Sequence, residues 1–190
     1  MNRERAIIRE GIIERYIDEL IIWNKKVRLT GYRSREEIKK KLMEINMKAV
    51  LLMKINGEGA DVGSGNGSLA VAIKAIHPSA KVFCIERNIK KAALISTIMH
   101  KIGLDGIEVI VGDINDMKVG YKWEWIVMRE VRVNMKLVKN IGRILKERGK
   151  IYIITSGDRA NEIAGIEILK VEEIEDLGNG YFLVKVLCFM

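Results

Sequence analysis

The sequence predicts an α/β fold: a doubly wound, Rossmann-like, mostly parallel sheet of seven strands with an antiparallel edge, preceded by N-terminal helices. Three observations lead there. From Ala60 onwards, short apolar runs alternate with helical stretches, the texture of parallel β-α-β units. A glycine-rich turn, Gly63-Ser64-Gly65-Asn66-Gly67, separates the first of these runs from its helix. Past Glu167 the pattern changes to two consecutive β-like runs joined by a Leu-Gly-Asn-Gly turn, which suggests a hairpin at the sheet edge.

The elements follow in chain order. Over 3–23, Ile8, Ile12, Tyr16, Leu20 and Trp23 recur at helical spacing. The stretch from Asn24 to Arg33 breaks that period and reads as a basic loop. Ser34 and Glu37 form a capping box that opens a second helix, with an apolar stripe of Ile38, Leu42, Ile45, Ala49 and Leu52. Strands are expected at Ala60–Val62, Lys81–Ile85, Glu108–Val111, Trp125–Met128 and Ile151–Ile154, then Glu167–Val171 and Tyr181–Phe189. Helices are expected near 68–76, 89–102 and 133–147, the last closed by Gly149 as a left-handed cap. The 190 residues suit one domain, with 1–56 a helical cap and 57–190 the core.

Composition narrows the class. With 48% hydrophobic and 31% charged residues the chain is not a disordered protein. Cys84 and Cys188 lie far apart, and only His77 and His100 could join them, so neither a disulfide scaffold nor a zinc site is expected. The charged N-terminus is not a signal peptide, and no apolar run approaches the ~18 residues of a membrane span. A cytoplasmic protein with no membrane or metal partner is the expectation. The net charge of +8 points to a polyanionic partner. It is concentrated in two segments: 22–54, with 10 basic and 3 acidic residues, and 118–159, with 11 and 4. If a nucleic acid is the partner, both should converge at the mouth of one cleft.

The glycine turn carries the most chemistry. Its spacing is G-x-G-x-G, not the G-x-G-x-x-G of a dinucleotide site, and Asp61 precedes it by two residues. A carboxylate there is awkward beside a pyrophosphate but suits a cationic ligand. S-adenosylmethionine, with an ammonium, a sulfonium and no phosphate, fits such a pocket. Glu86 ends the second strand, where an acid can bind ribose hydroxyls. Asp113 follows the third, where it can accept from an adenine amino group while Ile114 packs on the ring. A methyl-donor pocket, and with it a class I methyltransferase fold, is accordingly the expectation.

The acceptor is narrowed by what is missing. Pro78 is the only proline, so the Asn/Asp-Pro-Pro-aromatic motif of exocyclic-amine methyltransferases cannot occur. Neither cysteine suits a cytosine-C5 nucleophile. No general base stands out, which is compatible with a ring nitrogen such as guanine N7, whose lone pair attacks directly. Arg129, after the fourth strand, can position the reaction by holding the cofactor carboxylate or the base.

Trp23-Asn24-Lys25-Lys26-Val27-Arg28-Leu29-Thr30 with Glu36-Glu37, together with Asp61-Val62-Gly63-Ser64-Gly65-Asn66-Gly67, resembles the signatures of the bacterial glucose-inhibited division protein B family. Its members are 16S ribosomal RNA guanine-N7 methyltransferases. The resemblance covers about residues 8–160 and places Arg129 on the family's S-R-A arginine. It implies cofactor contacts at Gly63, Ser68, Ile114, Asn115 and Arg129, beside Asp61, Ser64, Gly65, Gly67, Glu86 and Asp113. It also implies ribosomal RNA, or the small subunit, as partner, met by Asn24, Lys25, Lys26, Arg28 and Arg33 and, after strand four, Arg132; nothing in the sequence demands more than a monomer. The chain departs from the family at Leu42 and Ile45, where His and Asp are usual, at Met128 and Glu130 around the arginine, and at Ser156, where a Lys is usual. A small-molecule or protein methyltransferase, and a non-catalytic cofactor-binding RNA protein, are the rival readings.

Overall fold

The computed structural model describes residues 3–117, 120 and 122–188. Its elements run α1 (Arg3–Asn24), α2 (Arg35–Glu37), a π-helical stretch (Ile38–Met43), α3 (Glu44–Leu51), β1 (Glu58–Val62), α4 (Ser68–Ile76), β2 (Lys81–Glu86), α5 (Ile89–Lys101), β3 (Ile107–Val111), β4 (Trp123–Arg129), α6 (Met135–Ile144), β5 (Leu145–Ser156), α7 (Gly157–Ala164), β6 (Leu169–Gly178) and β7 (Tyr181–Cys188). The seven strands lie in the order β3-β2-β1-β4-β5-β7-β6. The first five are parallel, whereas β7 runs antiparallel between β5 and β6. This is the expected doubly wound sheet with an antiparallel edge.

Strand periodicity of two sorts the side chains into two layers. Cys84, Trp125, Val127 and Tyr152 face a core shared with α1, α3, α4 and α5. Phe83, Ile85, Ile126 and Met128 face the other, covered by α6 and α7. Gly59 shows how closely β1 and β4 are fitted: a Cβ on it would lie 2.0 Å from Trp125 Cδ2. The indole occupies that space and donates from Nε1 to Asn56 O at 2.9 Å.

Ser34 accepts from the Glu37 N–H, as the capping box requires. The helix then widens over Ile38–Met43, where the Glu44 N–H reaches back five residues to Lys39 O. Leu42 and Met43 are both buried as a result. The stripe does not extend to Leu52, which is 39% exposed, and Ile8 at the start of α1 is 57% exposed.

Other expectations need correction. The sixth helix stops at Ile144, and Gly149 lies inside β5. The left-handed residue there is Arg148 (φ 61), while Gly149 is required because a Cβ would lie 2.5 Å from Leu145 Cγ. α7 follows β5 where no helix was expected; it buries only Ala160 and Ile163. β6 is longer than its apolar run because Lys185 of β7 pairs with Glu173 and Glu175 across the ladder. Phe189, assigned to the last strand, lies outside the described residues.

Candidate active site

Parallel register aligns the carboxyl ends of β1, β2, β3 and β4, so the loops after them open along one edge. Val62 pairs with Ile85 and Met128, and Glu86 with Val111. A cavity of about 370 Å³ lies there, lined by Gly63, Glu86, Asp113, Ile114, Asn115 and Arg132 among others. A second, of about 150 Å³, is lined by Asp61, Ser64, Gly65, Ser68, Leu42 and Arg129 among others, with Leu29 over it. The first falls within the ~300–1,000 Å³ usual for small-molecule sites.

The glycine turn is internally bonded. The N–H groups of Gly63 and Ser64 both donate to Ile85 O, that of Gly67 to Ser64 O, and that of Ser68 to Asn66 Oδ1. The Gly65 N–H donates to Glu86 Oε2 at 2.9 Å. A phosphate cradle needs such groups free and pointing at its ligand. Here five are spent, so the turn suits a ligand without phosphate. Gly63 has φ 72, and a Cβ on it would lie 2.8 Å from Val131 Cγ2, so glycine is required on both counts.

Asp61 lies beneath the turn, 1% exposed. Burial, reinforced by the charge of Glu86, pushes its carboxyl up to about 7. Its Oδ2 is buried with no hydrogen-bond partner among the described residues. Such an acceptor is costly unless a donor or a cation arrives. Glu86, also buried, accepts from the Asn88 N–H at 2.8 Å as well as from Gly65. Asp113 Oδ1 accepts from the backbone and side chain of Asn115, whose own Oδ1 accepts from Asn140. An orphaned buried carboxylate oxygen, a turn with most of its N–H groups already bonded, and two further acids along the cavity fit the cationic, phosphate-free S-adenosylmethionine.

Arg129 sits at the second cavity, but its guanidinium is largely committed. Nη1 donates to Leu42 O at 3.1 Å and to Asn46 Oδ1 at 2.6 Å, and Nη2 to Lys41 O at 3.0 Å. It thus ties the end of β4 to the widened turn of the second helix, and it lies 5.0 Å over the Tyr181 ring. Sequence reasoning passed over Asn46. It is fully buried and also donates from Nδ2 to Ser68 Oγ at 3.0 Å. The available signal was a lone amide four residues after Leu42, on the buried side of a helix. Tyr32 and Tyr181, which come together beside Arg129, left no signal because they come from opposite ends of the chain.

The two basic segments meet here only in part. Leu29 brings the 24–33 loop to Arg129 and Glu130. Lys25, Lys26, Arg28, Arg33 and Arg132 are exposed and make no ion pair among the described residues. Asn24 holds the loop together: its Oδ1 accepts from the Leu29 and Thr30 N–H groups and its Nδ2 donates to Tyr32 O. In the second segment, Lys122 donates to Arg143 O and Lys146 pairs with Glu124, beside the amino end of β4 and remote from the cleft. That segment therefore does not converge as a whole. Lys118 lies outside the described residues.

Among the described residues no group of three or more His, Cys, Asp or Glu could hold a metal, and no helix is long and apolar enough to cross a membrane.

Comparisons with known proteins agree with this geometry. Residues 9–175 match the GidB family, rRNA small subunit methyltransferase G. The chain is 26% identical over 153 residues to the ribosomal RNA small subunit methyltransferase G of Helicobacter pylori (strain J99 / ATCC 700824), covering 80% of this chain and 85% of that one. It is 23% identical over 167 residues to that of Geobacter sp. (strain M21), covering 87% and 75%. A SAM-dependent methyltransferase from Aquifex aeolicus superposes with a TM-score of 0.64 at 18% identity, over 81% of this chain and 98% of that one. The ribosomal protein L11 methylase from Lactobacillus delbrueckii subsp. bulgaricus superposes with 0.65 at 14%, over 85% and 81%. These two share the class I methyltransferase fold. With the matched family spanning both the basic loop and the glycine turn, the chain belongs to the rRNA small subunit methyltransferase G family and is an S-adenosylmethionine-dependent methyltransferase.

Proposed function

We propose that the protein methylates guanine N7 of small-subunit (16S) ribosomal RNA, acting in the cytoplasm as a monomer whose residues 1–56 and 57–190 form one domain. The observation that carries this reading is the meeting, at one cleft, of a phosphate-free donor cavity and an exposed cationic loop whose Leu29 lines the wall beside Arg129.

When bound, the cofactor supplies a methyl group on a sulfonium, which a guanine N7 lone pair can take in one displacement without prior loss of a proton. The chain's own residues bind and align. Asp61 receives the ammonium on its unpartnered Oδ2. Glu86 accepts from the ribose hydroxyls, and Asp113 from the adenine amino group, with Ile114 and Asn115 against the ring. Gly63, Ser64, Gly65, Gly67 and Ser68 give the close backbone approach along the chain of the donor. Arg129 is a positioning residue that fixes the helical wall on the acceptor side. Lys25, Lys26, Arg28, Arg33 and Arg132 hold RNA phosphates.

Mass mapping of small-subunit RNA from cells with and without the protein tests this reading. One N7-methylguanosine should vanish with the protein and return on adding it with S-adenosylmethionine. An unchanged map, or a methyl group on another atom, overturns it.

A further inference from the structure

Glu130, the first residue after β4, is shared with Gly63 by both cavities. Its backbone is left-handed, with φ 56, where the Cβ of an L residue crowds the following carbonyl and glycine does not. The fold nevertheless holds a glutamate there: its N–H donates to Ile154 O at 2.9 Å, and its Oε2 accepts from Arg159 Nη1, in the first turn of α7, at 3.0 Å. Non-glycine residues kept in such conformations cluster at functional sites.

The carboxylate is also the one that remains available. Asp61 and Glu86 are buried, Asp113 is partly buried, and Glu130 is the exposed acid among the described residues lining the two cavities. Its Oε1 has no hydrogen-bond partner among the described residues, the bond from Arg159 going to Oε2. Arg129, the preceding residue, lies over the Tyr181 ring, and Tyr32 lies close enough to Tyr181 and Glu130 to feel both.

Guanine presents acceptors, N7 and O6, on one edge and donors, N1–H and the 2-amino group, on another. A carboxylate accepts only, so it complements the donor edge and repels the edge that must face the methyl. We propose that Glu130 determines base specificity, accepting from N1–H and the 2-amino group of the acceptor guanine and so turning N7 toward the donor cavity. Arg159 is then a positioning residue that fixes the carboxylate. The inference rests on the guanine reading above.

The test uses the full chain and small subunits from cells lacking it, in which the mapped guanosine is left in place or replaced by inosine. Inosine keeps N7 and N1–H but lacks the 2-amino group. Wild type should favour guanosine over inosine at least tenfold in kcat/KM. Glu130→Ala should lower kcat/KM on guanosine at least tenfold, keep S-adenosylhomocysteine affinity within twofold, and bring the guanosine-to-inosine ratio close to one. Glu130→Gly, free of the left-handed strain, should melt no lower than wild type and show the same collapsed ratio. If wild type treats both nucleotides alike, or the variants lose activity with the ratio intact, the inference is overturned while the guanine reading stands. If wild type makes no N7-methylguanosine, that reading itself falls.

Discussion

Asn46 Oδ1 accepts from Arg129 Nη1 at 2.6 Å while Asn46 Nδ2 donates to Ser68 Oγ at 3.0 Å, so one buried amide joins the second helix, the end of β4 and the start of α4. Removing either partner leaves a polar group in the interior unsatisfied, at a cost of about 1–3 kcal/mol. Arg129→Ala and Asn46→Ala should each lower Tm by several degrees, and Arg129→Lys should not recover the loss, because an ammonium cannot span the three acceptors in their planar arrangement. Thermal melts of the two alanine variants and their combination check this. The double variant should lose less than the two single losses together.

Asp61 gives a pH dependence with a definite sign. Its carboxyl lies at about 7 when folded, against 3.8 for the free group. Between those values the folded protein holds a proton that the unfolded chain has lost, so cofactor-free stability falls as pH rises through the window. S-adenosylhomocysteine, whose ammonium needs the ionised acid, should bind more tightly as pH rises toward 7. Calorimetry at pH 5.5 and 8 reads this directly. Asp61→Asn should weaken binding at least tenfold, flatten its pH dependence, and raise the stability of the cofactor-free protein at pH 8.

Phosphate binding is expected from the 24–33 loop and not from the amino end of β4. Replacing Lys25, Lys26, Arg28 and Arg33 together by alanine should make the slope of log affinity against log salt shallower. On single-stranded RNA the change should be about 0.7 for each phosphate that is no longer neutralised. Lys146→Ala, on the other end of the sheet, should leave the slope unchanged. Filter binding at several salt concentrations distinguishes the two.

Gly59→Ala places a methyl group 2.0 Å from Trp125 Cδ2. Overpacking of this kind costs roughly 1–3 kcal/mol, and more where neighbours cannot move. The variant should melt markedly lower or fail to fold, and Trp125→Leu in the same chain should recover part of the loss.

Much of this was legible in residue spacing. The alternation after Ala60 is local and periodic, so β1 to β5 were readable, as were the acids at the strand ends. The end of α6 was less so: Leu145 continues the helical stripe, and only the tertiary fit of Gly149 against it shows that the chain has already turned into β5. α7 has two buried side chains, too few to make a periodic signal. At the site, Asp61, Glu86 and Asp113 were identifiable from position alone. Arg129 was found but not its partners, since a bond from β4 to carbonyls at Lys41 and Leu42 spans more than eighty residues and leaves no mark in spacing.

β7 has a consequence for the order in which the enzyme is made. It is the last of the seven strands to leave the ribosome, yet it lies between β5 and β6 and carries Tyr181 to the Arg129 side of the cleft. A chain still attached at that stage can close β1 to β5 around the donor cavity while β5 presents a bare edge. Tyr181 can therefore meet Arg129 only once β7 is seated between β5 and β6, so that side of the cleft depends on the hairpin, whereas the lining of the larger cavity draws on neither of its strands.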